Sequence, residues 1–248
     1  MAWTGDVRIP GQQSKAPPAL AYGGSVGAQL HMVHLGDGSN DIWHSRSDGE
    51  TWFRPDTGEP GNSRIPGQQS KASPALAYYG GLHMVHLGDG SNDIWHSYFD
   101  GQTWRRPDTG EPGNSPILGQ QSKAAPAIFT NNGLLHMVHL GDSSNDIWHS
   151  TFDKTGWSPN VRIPGQQSKA SPALTEYSGL LHMVHLGDSS NDIRHSTFNG
   201  NNWSTDPPIP GHQSKVSPAL ALYNTRLHMV HLGDSSNDIW HSTSDGRS

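Results

Sequence analysis

The chain has 248 residues, of which 32% are hydrophobic and 15% charged, with 29 Gly, 18 Pro and no Cys. The formal net charge is −6 and no lysine or arginine cluster occurs, which argues against a phosphate-backbone partner such as nucleic acid; the missing cysteines exclude disulfides and thiolate chemistry. This length fits one or two domains, and low apolar content with many turn formers suits short strands better than one thick core.

No apolar run approaches the length of a membrane span, so no membrane insertion is expected. The opening segment, MAWTGDVRIPGQQ, has neither a charged nor an apolar leader region, and a cytoplasmic protein, or one released without a signal peptide, is expected. The same segment matches TGWSPNVRIPG further along, at 155–165.

That match belongs to a repeat. The motif around IPGQQSK recurs with its isoleucine at Ile9, Ile65, Ile117, Ile163 and Ile209, spaced by 56, 52, 46 and 46 residues. Such a period signals a solenoid, propeller or array. Within each repeat the order is constant: a SPALA-like segment, a Gly- or Asn-bearing turn, LHMVHLG, the polar turn DGSND or DSSND, IWHSYF or its like, a DG-type hairpin, and a Trp-led segment. These read as four short strands, one propeller blade. The last repeat stops at HSTSDGRS, and the piece it lacks stands at the N-terminus. The expected fold is therefore all-β: a single five-bladed β-propeller domain over 1–248, of four-stranded antiparallel blades. Its repeats start near 9, 65, 117, 163 and 209, and residues 1–8 complete the last blade so that the ring has no open seam. Trp3 would then match Trp52, Trp104, Trp157 and Trp203.

Up-and-down strands place alternate connections at opposite ends, so the GQQSK links and the GDxSND turns share one rim. That rim is unvarying among the five copies, whereas the opposite one varies in length and residue type. Each copy of the unvarying rim offers a histidine, an aspartate, an asparagine and, in four of five, a tryptophan: His34, Asp37, Asn40 and Trp43; His86, Asp89, Asn92 and Trp95; His139, Asp142, Asn145 and Trp148; His185, Asp188, Asn191 and Arg194; His231, Asp234, Asn237 and Trp240. Beside them stand the link residues Gln13 and Lys15, Gln69 and Lys71, Gln121 and Lys123, Gln167 and Lys169, and Gln213 and Lys215.

Trp43 and its equivalents read either as blade packing or as an aromatic floor for the C–H face of a sugar. Arg194 in the same place favours a partly open groove, where its stem packs and its head stays wet. The Trp52 set reads as blade packing. His31 and His34, three apart on a strand, face opposite ways, so they cannot chelate one metal; His31 is expected in the core and His34 toward the polar rim. The DGSND turn lacks the further acids and distal Glu of an EF-type calcium loop and reads as an Asx-turn. No metal and no cofactor are expected. The SDGETW, SYFDGQTW and STFDKTGW hairpins look like the Asp-boxes of sialidase-type propellers, with Asn199 in place of Asp in one copy.

The pattern SPALA…LHMVHLGDxSNDIWHSxFDG…W, five times over, resembles the bacterial and fungal β-propeller lectins. That resemblance implies a sugar site per blade or between neighbouring blades, lined by Trp43, His34, Asp37 and Asn40 with their equivalents and edged by the QSK link. Partners would be glycans or glycoconjugates carrying fucose or N-acetyl sugars. The leading expectation is a multivalent carbohydrate-binding protein with up to five equivalent sites on one rim, the blade with Arg194 being weaker. A protein-interaction scaffold is the alternative. A sialidase-like glycosidase fits less well, because five near-identical blades offer no unique pair of carboxylates about 5 to 9.5 Å apart.

Overall fold

A computed structural model of the chain describes residues 7–23 and 29–246. It is an all-β, five-bladed propeller, without helices among the described residues. Blade 1 comprises β1 (Ala19–Gly23), β2 (Gln29–Leu35), β3 (Asp41–Ser47), the stub β4 (Trp52–Phe53) and β5 (Ser63–Gln69). Blade 2 repeats this with β6 (Ala75–Tyr78), β7 (Leu82–Leu87), β8 (Asp93–Phe99), β9 (Trp104–Arg105) and β10 (Ser115–Gln121). Blade 3 has β11 (Ala127–Asn131), β12 (Leu134–Leu140), β13 (Asp146–Phe152) and β14 (Val161–Gln167). Blade 4 has β15 (Ala173–Tyr177), β16 (Leu180–Leu186), β17 (Asp192–Phe198) and β18 (Pro208–Gln213). Blade 5 has β19 (Ala219–Tyr223), β20 (Arg226–Leu232) and β21 (Ile239–Ser244). All strand pairs are antiparallel, and the inner strands β1, β6, β11, β15 and β19 pack side by side in that order.

The fourth strand differs from expectation. The Trp-led segment pairs with the third strand for only two residues in blades 1 and 2, and through a single bridge, Phe152–Trp157 or Phe198–Trp203, in blades 3 and 4. The IPGQQ segment then returns to the same edge and forms the longer part, with Asp41 opposite Gln69 and Trp43 opposite Arg64. Those residues therefore close a blade rather than link two. Residues 1–6, with Trp3, lie outside the described part. Among the described residues blade 5 has three strands.

LHMVHL is buried on both faces in blades 2 to 4 because each of these is sandwiched between two others. Val33, Leu35, Ile42 and Ile65 of blade 1 meet Leu76, Leu82, Met84, Phe99 and Trp104 of blade 2, and the arrangement recurs between later blades. Each fully buried Leu or Ile stabilises the fold by about 1.5–3 kcal/mol.

A polar lock runs through the same interfaces. The Trp104 indole donates to His44 Nδ1 across 3.1 Å, and His44 Nε2 meets His31 Nδ1 at 3.0 Å. Trp157, His96 and His83 repeat it, as do Trp203, His149 and His136. An indole only donates, so the receiving Nδ1 must be bare, His44 must carry its proton on Nε2, and that proton points at His31. Both rings are neutral, and burial pushes His31 and His83 down to about 4, His149 to about 3, and His44 and His96 well below the ordinary range. His31 is thus a core histidine, as expected, and the Trp52-type residues are packing residues. At the opposite rim Asp48 accepts the Glu50 and Thr51 amides, and Asn199 those of Asn201 and Asn202, the turn geometry read from the DG hairpins.

Candidate functional site

The GQQSK and GDxSND segments do share one rim: Ser70 N donates to Asn40 O at 2.8 Å, with the same bond at Ser122–Asn92, Ser168–Asn145 and Ser214–Asn191. The rim's polar residues divide into two groups with different duties.

The first group joins blades. Lys15 and Asn40, Lys71 and Asn92, Lys123 and Asn145, and Lys169 and Asn191 are paired within blades, each amine on the amide oxygen. Each asparagine then donates to the aspartate of the next blade, giving Asn40–Asp89, Asn92–Asp142, Asn145–Asp188 and Asn191–Asp234. Lys215 reaches Asn237 at 2.5 Å. These residues, expected to line a sugar site, are therefore joined in a belt around the rim, with Asp37 and the amide nitrogen of Asn237 at its ends without a partner among the described residues.

The histidines expected at this rim are also committed. His34, His86, His139, His185 and His231 are buried. Each Nδ1 meets the carbonyl of the following leucine at 2.7–2.9 Å. Nε2 meets an amide side chain in blades 1 to 3, Asn62, Asn114 or Asn160. Each of these histidines stands directly opposite the Trp, or Arg194, of its blade on the neighbouring strand and so shares its face, and His231 lines a cavity with Asp234 and Trp240.

The second group stays open. Trp43, Trp95 and Trp148 are half-buried and Trp240 is exposed. None of these four indole N–H groups has a hydrogen-bond partner among the described residues, unlike Trp104, Trp157 and Trp203. The indole nitrogen lies over a glycine of the turn: a Cβ on Gly36 would stand 3.2 Å from Trp43 Nε1 and 2.6 Å from Ser39 Oγ. That crowding explains why the turn opens with glycine.

Around the indole sit three groups that the sequence reading left out of its candidates or placed only at the edge. Asp41 precedes Trp43 by two and shares its face. Gln69 donates to Asp41 Oδ1 at 2.9 Å, and Arg64 Nη1 lies 3.5 Å from the same oxygen. The Gln69 bond chiefly, with help from Ser39 and Arg64, holds the Asp41 carboxyl below its usual range. Blade 3 matches: Gln167 donates to Asp146 at 2.9 Å and Arg162 stands 3.6 Å away. Such half-exposed pairs add at most about 1 kcal/mol to stability, so both ions remain available to a ligand.

The copies are not equivalent. Trp43 and Trp148 face Arg64 and Arg162 in blades 1 and 3, whereas Trp95 faces Pro116 in blade 2 and Arg194 faces Pro208 in blade 4. The signal was the letter before IPG or ILG, which reads R, R, P, R, P along the chain while the isoleucine after it and the GxQSK that follows stay constant. In blade 4 the Arg194 head is not simply wet. Its Nη1 donates to Asp206 O at 2.8 Å and lies 3.6 Å from that carboxylate, which also stands 3.4 Å from buried His185. Asp206 replaces the asparagine of blades 1 to 3, a paired change that keeps the slot neutral.

No family model matches the chain, and no curated protein does. Solved structures match in fold. The Aleuria aurantia lectin, in complex with Fucα1-6GlcNAc, aligns with a TM-score of 0.65 at 12% identity over 93% of this chain and 76% of its own. The SapL1 lectin with α-methyl fucoside gives 0.61 at 12% over 93% and 77%. An exo-β-1,3-galactanase from Phanerochaete chrysosporium, with galactose, gives 0.54 at 12%; this chain spans 86% of itself and 55% of that enzyme. The chain thus has the fold of fucose-binding propeller lectins, a fold that glycosidases share.

Proposed function

We propose that the protein is a multivalent, non-enzymatic saccharide-binding protein whose complete sites are the grooves of Trp43, Asp41, Arg64 and Gln69 and of Trp148, Asp146, Arg162 and Gln167. The observation that carries this is the open indole with an unused N–H beside a carboxylate and a guanidinium. The indole face suits a sugar's C–H surface, and the ions suit its hydroxyls. Fucose-binding neighbours make a fucoside the first sugar to try. Repetition supports binding over catalysis, since near-identical blades offer no unique pair of carboxylates poised across a glycosidic bond. Single shallow sites bind at about millimolar strength, and several meeting a glycan-coated surface gain about 10²- to 10⁴-fold.

Red-cell agglutination with methyl α-L-fucoside as inhibitor, beside a glycan array, tests this. Sugar-inhibited agglutination, weakened at least about tenfold by Trp43→Ala with Trp148→Ala, a loss of ~1.4 kcal/mol, is the expected result. Absence of any array signal would point instead to a protein partner.

A further inference from the structure

Blade 5 and blade 1 carry the two halves of an interface that is closed between all other neighbours. On blade 5, Val230 is 41% and Ile239 77% exposed, whereas their equivalents in the other blades are at most 2% exposed. On blade 1, Leu20 is 54% exposed, against 8% for Leu76 and Leu174. The locks stop at the same place. Trp52 Nε1 and His241 Nδ1 have no partner among the described residues, and neither do Asp37 and the Asn237 amide nitrogen. The outer edge of β21 is unpaired.

One segment fits this seam. Arg8–Gln13 carries RIPGQQ, the letters of Arg64–Gln69. Gln12 already sits on blade 1 as Gln68 sits on blade 2, for Ser45 Oγ donates to Gln12 Oε1 at 3.1 Å and Ser97 Oγ to Gln68 Oε1 at 3.0 Å. Gln12 Nε2 is buried without a partner, whereas Gln68 Nε2 donates to Gly113 O. Ile9 is half-buried where Ile65, Ile117 and Ile163 are sealed in the core.

We infer that Arg8–Gln13 pairs with β21 as the fourth strand of blade 5, and that this docking builds a third complete groove from Trp240, Asp238, Arg8 and Gln13. In the register of blade 1, Gln13 would face Asp238 and Arg8 would face Trp240. Closure would also seat Trp52 on His241 and Asn237 on Asp37. The groove's ligand class rests on the saccharide reading above; the strand does not.

The test uses the full chain, which has no cysteine of its own. Gln13→Cys with Asp238→Cys is oxidised mildly, and Asp41→Cys with Gln69→Cys, already partners in the structure, sets the attainable yield. A monomer with one disulfide at comparable yield is expected. A disulfide-linked dimer would assign the edge to a second copy, and two surviving thiols would leave the strand unpaired; either overturns the inference. Titration with methyl α-L-fucoside should then count three sites, falling to two with Arg8→Ala as it does with Arg64→Ala. A count unmoved by Arg8→Ala overturns the third groove while sparing the other two. No binding by any variant overturns the saccharide reading and the groove together, and the cross-link still decides the strand.

Discussion

Trp104 and Trp43 belong to the two tryptophan sets of the repeat, on the stub after the third strand and on the third strand itself, yet their indole N–H groups meet opposite fates. The first is buried on His44; the second has no partner. Trp104→Phe should therefore leave His44 Nδ1 unsatisfied and cost about 1–3 kcal/mol in urea unfolding. Trp43→Phe should shift stability by less than about 1 kcal/mol and act on ligand binding instead. Arg194→Trp is the instructive reverse case. Read from sequence, it restores a missing aromatic floor; in the structure it strips Asp206 of its cation and faces Pro208 rather than an arginine. It should destabilise by about 1–3 kcal/mol without adding a sugar site. The tryptophan of each groove was legible because it stands next to a polar turn in a chain poor in apolar residues. Arg64 and Asp41 were not, because a register shift of three residues between Asp41 and Trp43 on the facing strand brings together residues that simple strand counting keeps apart.

At the scale of elements, alternation and turn chemistry were enough to place the first three strands of every blade. The fourth was misplaced because IPGQQ carries both Pro and Gly, which argue against a strand. It is tolerated here on an outermost edge, where a missing N–H costs no ladder bond, and Gly67 turns the chain with φ +69°. The histidine pairs between strands two and three predict a pH response. Burial lowers the paired His31, His83 and His195 to about 4 and His149 to about 3, and unpaired His86 likewise to about 4, against about 6.5 in an unfolded chain. Below pH 6.5 the unfolded chain binds protons that the folded one refuses. Their stabilisation is thus fully present above 6.5 and is lost as pH falls toward 4, at about 1.4 kcal/mol per pH unit for each histidine. Melting temperature measured from pH 7.5 to 4.5 should fall steeply below 6.5. A flat profile would mean that these rings are not buried as neutral pairs.

For the whole molecule, the repeat revealed the blade number, but not how many blades work. Sameness of letters suggested five equal sites, whereas under the proposed reading the residue facing Trp43, Trp95, Trp148 or Arg194 gives blades 1 and 3 a facing arginine and blades 2 and 4 a proline. The belt of lysine, asparagine and aspartate shows why the letters are the same: those residues hold neighbours together, a duty every blade shares. Valency then becomes a matter of which grooves survive. Arg64→Ala with Arg162→Ala should abolish or sharply reduce agglutination, while Pro116→Arg in blade 2 should strengthen it by adding a groove. The most direct test follows the indole N–H signals in a ¹⁵N-correlated spectrum during titration with methyl α-L-fucoside. The signals of Trp43 and Trp148 should shift while those of Trp104, Trp157 and Trp203 stay in place; shifts confined to the latter three, or none at all, would contradict a saccharide floor on this rim.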